Sequence, residues 1–120
     1  MSYNKNLILV TNIIRKLGVP ANILGFDYIR SAIMLCITDN SLIHNITTRL
    51  YPILADMYKS TSPRVERSIR HAINMSLKRG DIELLKKYFN YPSDNKYRIS
   101  NSEFIATIAD LILIRAIDEE

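Results

Sequence analysis

Arg64, Glu66, Arg67, Arg70, His71, Asn74 and Lys78 fall within one stretch of 15 residues. Their shared chemistry is hydrogen bonding and charge rather than bond making. Arginine forks onto guanine O6 and N7, glutamate accepts from cytosine N4, and histidine and asparagine bond base edges or phosphate. The surrounding charge points the same way. From 59 to 79 there are six basic residues (Lys59, Arg64, Arg67, Arg70, Lys78, Arg79) against the single acid Glu66, a local +5. The whole chain carries +4, so the other 99 residues sum to −1. One basic patch on an otherwise near-neutral chain is the footprint of a phosphate-facing surface.

These residues need a rigid element to present them together, and the spacing supplies one. With Val65 at 0° and about 100° per residue, Ile69, Ile73, Ser76 and Ala72 fall within about 80° of it and form an inward stripe. Arg67, His71, Asn74 and Lys78 lie opposite, near 180–240°, with Arg64 and Arg70 at the flanks and Glu66 near 100°, bordering the buried face. Ser60-Thr61-Ser62-Pro63 supplies caps and a first-turn proline, so a helix is expected over 63–79, stopped by Gly80. A short alanine-containing helix over 53–59, the joint Ser60-Thr61-Ser62 and this basic helix together describe a helix-turn-helix. Leu54, Tyr58, Val65 and Ile69 are expected to form its hinge core, with Ala55 where the two helices cross. Such motifs often carry glycine in the turn; this chain has Lys59-Ser60.

N-terminal positions of a recognition helix penetrate the groove deepest, which makes Glu66, Arg67, Arg70 and His71 the expected base-reading residues. Lys59, Ser60, Thr61, Ser62, Arg64, Asn74 and Lys78 are expected on the DNA backbone, the hydroxyls beside the helix's positive N-terminus. Plainer readings compete. Glu66 and Arg70, four apart, suit a surface ion pair, and basic helix faces are usually only solvated. His71 alone reads as a surface histidine, His44 as structural or solvated, and Cys36, on an apolar helix face, as core. Lys96 and Arg98 sit in a polar segment and read as a solvated loop before they read as phosphate contacts.

Apolar residues recur at helical spacing nearly throughout and only three glycines interrupt the chain, so the expected fold is all-α, a compact bundle of about six helices in one domain over 1–120. Further helices are expected over 5–17, ended by Gly18-Val19-Pro20, and over 26–37, with Ile29, Ile33 and Cys36 or Ile37 on one face. Another is expected over 42–50; Pro52 either kinks it or begins a new helix. Asp81 caps a helix through Phe89, 90–101 is irregular, and Ser102 caps a last, strongly apolar helix to about Ala116.

With 48% hydrophobic residues the chain can bury a core without metals or disulfides. A lone cysteine and two histidines build no zinc spacing, and no stretch has the length of a membrane span or a cleavable leader. A reducing cytoplasm is expected, with no membrane association. Glycine-rich phosphate loops, nucleophile elbows and H-E-x-x-H are absent, so no enzyme, catalytic residue, metal or cofactor is expected. The rival to DNA reading is a helical protein-interaction domain whose working surface is the apolar last helix.

The run from Pro63 through Ile73, preceded by Leu50-Tyr51-Pro52 and followed by Arg79-Gly80 and Asn101-Ser102-Glu103-Phe104-Ile105-Ala106, resembles the C-terminal effector domains of stage 0 sporulation protein A. Gly18-Val19-Pro20-Ala21 and Tyr28-Ile29-Arg30-x-Ala32-Ile33 extend the resemblance to about 11–113. It implies a six-helix output domain of a two-component response regulator of endospore-forming bacteria, with Glu66, Arg67, Arg70 and His71 at the DNA-contacting positions. It further implies an activator or repressor of sporulation genes that binds a short asymmetric box, often as a tandem homodimer. The resemblance implies, too, that RNA polymerase sigma subunits are met through the region after the recognition helix, here 78–91, where Glu83, Lys86 and Lys87 depart from the family pattern. The receiver domain of such regulators has no counterpart here, so an isolated effector domain that binds DNA constitutively is expected, its two copies meeting through the last helix.

Overall fold

The first helix, α1 (Tyr3–Lys16), turns Leu9, Val10, Ile13 and Ile14 inward at helical spacing. Gly18, at φ +93°, ends it. The Gly18 N–H donates to the Arg15 carbonyl and the Val19 N–H to the Ile14 carbonyl, the paired bonds that close a helix through a left-handed residue. The structure, a computed structural model, describes residues 3–90 and 98–114. Lys96, Tyr91 and Ala116 lie outside the described residues.

The central element is α2 (Leu24–Thr38), which buries Phe26, Tyr28, Ile29, Ala32, Ile33, Met34 and Cys36 and packs on α1 and on three later helices. Cys36 is a core residue, as its apolar surroundings in sequence suggested, and burial pushes its thiol up to about 11. The helix starts two residues before the expected 26, and Gly25 in its first turn sits where its neighbours leave no room for a side chain.

The helix expected over 42–50 is replaced by a 3-10 turn, Asn40–His44, and a π turn, Ile46–Leu50. Asn45 separates them, its side chain donating to the Ser41 carbonyl at 2.9 Å while its own carbonyl accepts from both Arg49 and Leu50. Pro52 offers no N–H to the Thr48 carbonyl and its ring crowds that turn, and the wide turn sits just upstream of it. Pro52 occupies the first turn of α3 (Tyr51–Met57), which follows the π turn without a break.

The basic helix α4 (Ser62–Arg79) buries Val65, Ile69, Ala72, Ile73 and Ser76, the five positions its periodicity placed inward. Each large aliphatic among them contributes about 1.5–3 kcal/mol of burial. Thr61 caps it by accepting from the Arg64 N–H at 3.4 Å. Next, α5 (Ile82–Phe89) is capped by Asp81 and ends at Asn90, which is left-handed at φ 52°. The last described helix, α6 (Asn101–Leu113), is capped by Ser100, not Ser102, whose place is in the first turn. The shift follows from the bond made: the Ser100 hydroxyl accepts from the Glu103 N–H at 3.0 Å. Phe104, Ile105, Ile108, Ala109 and Ile112 of α6 are buried, Phe104 stacked on Phe89 at 5.3 Å. The apolar side chains that made this helix a rival working surface therefore lie in the core; Leu113 and Ile114 are exposed at its end.

Candidate nucleic-acid interface

Among the described residues α4 is held from behind at three places, and its front is exposed. Gly25 brings α2 against its backbone, where an added Cβ would lie 2.5 Å from the Ser68 carbonyl oxygen. At the other end the buried Ser76 hydroxyl donates to the Leu17 carbonyl. Nearest the helix start, Asn101 of α6 donates through its amide to the Tyr51 hydroxyl and to the Glu66 carbonyl, both at 3.0 Å. Burial raises the Tyr51 phenol above its ordinary value, so it stays protonated. Asn101 thus ties α3, α4 and α6 together at the front end of the basic helix, a role that residue spacing could not reveal.

The joint between α3 and α4 is tighter than the sequence suggested. α3 ends at Met57, and Lys59 adopts φ 53°, the left-handed conformation for which such turns commonly use glycine. Tyr58 does not fill the hinge core. It is 37% exposed, and its ring packs edge-on against Tyr28 at 5.0 Å. Its hydroxyl pairs with Ser31 at 2.6 Å, so it fastens the turn to α2, while Leu54, Val65 and Ile69 are the buried hinge. Ala55 is buried on α3, and α3 packs against α4.

In front, Arg67, Arg70, His71, Asn74 and Lys78 are exposed on one strip with Arg64 at its flank, and Glu66 is half-buried at the edge. Glu66 and Arg70 form the ion pair their spacing allowed. Lys59 and Thr61 are exposed at the joint, Ser60 and Ser62 half-buried. Lys78 stands apart from the rest, about 16 Å along the axis from Arg67.

Clefts run along both sides of α4. On the α2 side one of about 540 Å³ is lined by Leu24, Tyr58, Lys59, Ser60, Arg64 and Arg67. A second, of about 600 Å³, continues past Leu24, Arg67, His71 and Asn74. On the opposite side a cleft of about 450 Å³ lies between Arg70 and Asn74 and the wall formed by Thr47, Arg98 and the start of α6. Leu24, 62% exposed next to Arg67, carries no sequence signal of its own. Among the described residues no three His, Cys, Asp or Glu side chains converge as a metal site, and no described helix is long and apolar enough to cross a membrane.

A basic helix presented in this way is the structural counterpart of the resemblance read from the sequence, and comparison with known families agrees. The family model described as sporulation initiation factor Spo0A C terminal matches residues 10–112 of the 120. The chain belongs to the family of Spo0A C-terminal domains, the DNA-binding output domains of a sporulation response regulator.

Proposed function

We propose that the chain reads a short duplex site with a helix-turn-helix made of α3, the turn at Lys59 and α4. The observation that carries this is the division of α4 into a buried apolar stripe and an exposed strip bearing Arg67, His71 and Asn74. Glu66, Arg67, Arg70 and His71 read base edges in the major groove. Lys59, Ser60, Thr61, Ser62, Arg64, Asn74 and Lys78 hold phosphates and set the register. No bond is made or broken. As one domain, the chain activates or represses sporulation genes, meeting a sigma subunit through α5 and its flanks. Two copies on adjacent boxes meet through the end of α6, where Leu113 and Ile114 are exposed; a strictly monomeric complex on a two-box duplex would refute that contact.

The deciding experiment is site selection from random duplexes followed by a gel-shift titration of the recovered duplex against its scrambled version. Preferential binding of the recovered duplex is expected. Equal binding of the two would remove sequence reading, and no shift at moderate salt would favour a protein-interaction domain instead.

Lys59→Gly separates the joint's two roles. Glycine suits φ 53°, so thermal stability is expected to hold or rise by up to about 1 kcal/mol. Loss of the ammonium weakens binding to every duplex and flattens the dependence of log affinity on log salt by about one unit. An unchanged slope would exclude Lys59 as a phosphate contact.

A further inference from the structure

We infer that the cleft between α4 and the start of α6 is a second backbone subsite, in which Arg98, with Thr47 and Ser102, takes a phosphate of the DNA strand opposite the one held at Lys59. The inference rests on the duplex-reading function proposed above. An α-helix with its side chains is about 10–12 Å across and the major groove about 12 Å wide. A helix that enters fills the groove, and the two sugar-phosphate strands must then pass along its two flanks. On the α2 flank the protein offers Lys59, Ser60 and Arg64. The other flank is the wall that carries Thr47, Arg98 and Ser102.

Charge singles out Arg98 on that flank. Of the three charged side chains that line the cleft among the described residues, Glu66 and Arg70 are paired with each other. Arg98 is exposed and makes no ion pair with a described residue. Among the described residues it is therefore the uncompensated cation of the cleft, and the exposed hydroxyls of Thr47 and Ser102 stand on the same wall as hydrogen-bond donors for phosphate oxygens. Ser100 on the same wall caps α6 through an oxygen lone pair, which leaves its O–H to donate as well. The π turn gains a purpose here: it presents Thr47 beside α4, and Asn101 fixes the start of α6 against the same helix. Sequence spacing leaves Arg98 in a solvated loop, some 20 residues past the end of the basic helix; the fold returns it to the recognition surface.

Salt titrations of the full-length chain on the recovered and scrambled duplexes test this. Arg98→Gln is a surface change that leaves the fold intact. It is expected to reduce the salt slope by about 0.9 on both duplexes, and Arg98→Lys, which keeps the charge, to retain the wild-type slope. A scan of neutral methylphosphonates should find a position, on the strand opposite the one sensed by Lys59→Gly, that weakens the wild type several-fold and Arg98→Gln no further. A normal slope for Arg98→Gln beside a reduced slope for Lys59→Gly would overturn the second subsite and leave duplex reading standing. Absence of any duplex binding by the wild type would overturn both.

Discussion

Replacing Gly80 by alanine is expected to cost about 2–4 kcal/mol of stability, seen as a fall in the urea midpoint at unchanged slope. The backbone at Gly80 is ordinary, φ −74° and ψ 168°, so conformational preference is not the cause. The cause is space. A Cβ there would lie 2.1 Å from the Leu17 carbonyl oxygen and 2.6 Å from that of Ser76, and both atoms are backbone. The Leu17 carbonyl is also the acceptor of the buried Ser76 hydroxyl, so it cannot swing aside without orphaning a buried donor. Gly18 closes the seam from the other side, its own absent Cβ facing Gly80 Cα at 2.6 Å. The end of α1 and the end of α4 are thus pressed together backbone to backbone. Arg79→Ala, one residue away and exposed, should change stability by no more than about 0.5 kcal/mol. If Gly80→Ala melted like the wild type, that close approach would not exist in solution.

Such seams explain which parts of the molecule could be read in advance. The inward stripe of α4 was legible because a 3.6-residue period in Val65, Ile69, Ala72, Ile73 and Ser76 reflects burial on one side, whatever the partner. The end of α1 was legible because Gly18 before Val19-Pro20 is a local stop. Residues 40–50 were not, since the choice between a helix and two irregular turns depended on Asn45 bonding back to Ser41 and on Pro52 acting upstream of itself. At the joint, the absence of glycine was visible, but not that Lys59 takes the left-handed conformation in its stead. Tyr58 counted as a hinge residue by spacing and turned out to clasp α2, because its partners Tyr28 and Ser31 are some 30 residues away in sequence. The side chains of the candidate site on α4 were readable as a strip. Its walls were not, because Leu24, Thr47, Arg98 and Asn101 reach it only through tertiary packing.

Arg67→Ala is expected to weaken binding to the selected duplex by about 1–3 kcal/mol, roughly 5- to 150-fold, while binding to a scrambled duplex stays nearly unchanged. Three features make Arg67 the most sensitive of the four base-reading candidates. It lies about 200° around α4 from the buried Val65, at the centre of the exposed strip. Unlike Arg70, which is paired with Glu66, it makes no ion pair with a described residue, so its guanidinium meets DNA without first giving up an intramolecular partner. Its Cα is six residues from the cap at Thr61, within the part of a recognition helix that reaches deepest. Arg67→Lys keeps the charge but loses the two-pronged donor geometry that matches guanine O6 and N7, so it should leave binding to the scrambled duplex unchanged without recovering discrimination. That split separates base reading from mere attraction to phosphate: a side chain that only held the backbone would be rescued by lysine on every duplex alike. If alanine and lysine at 67 both left the preference for the selected duplex intact, sequence would be read by some other part of the protein, and the exposed strip of α4 would be an electrostatic surface alone.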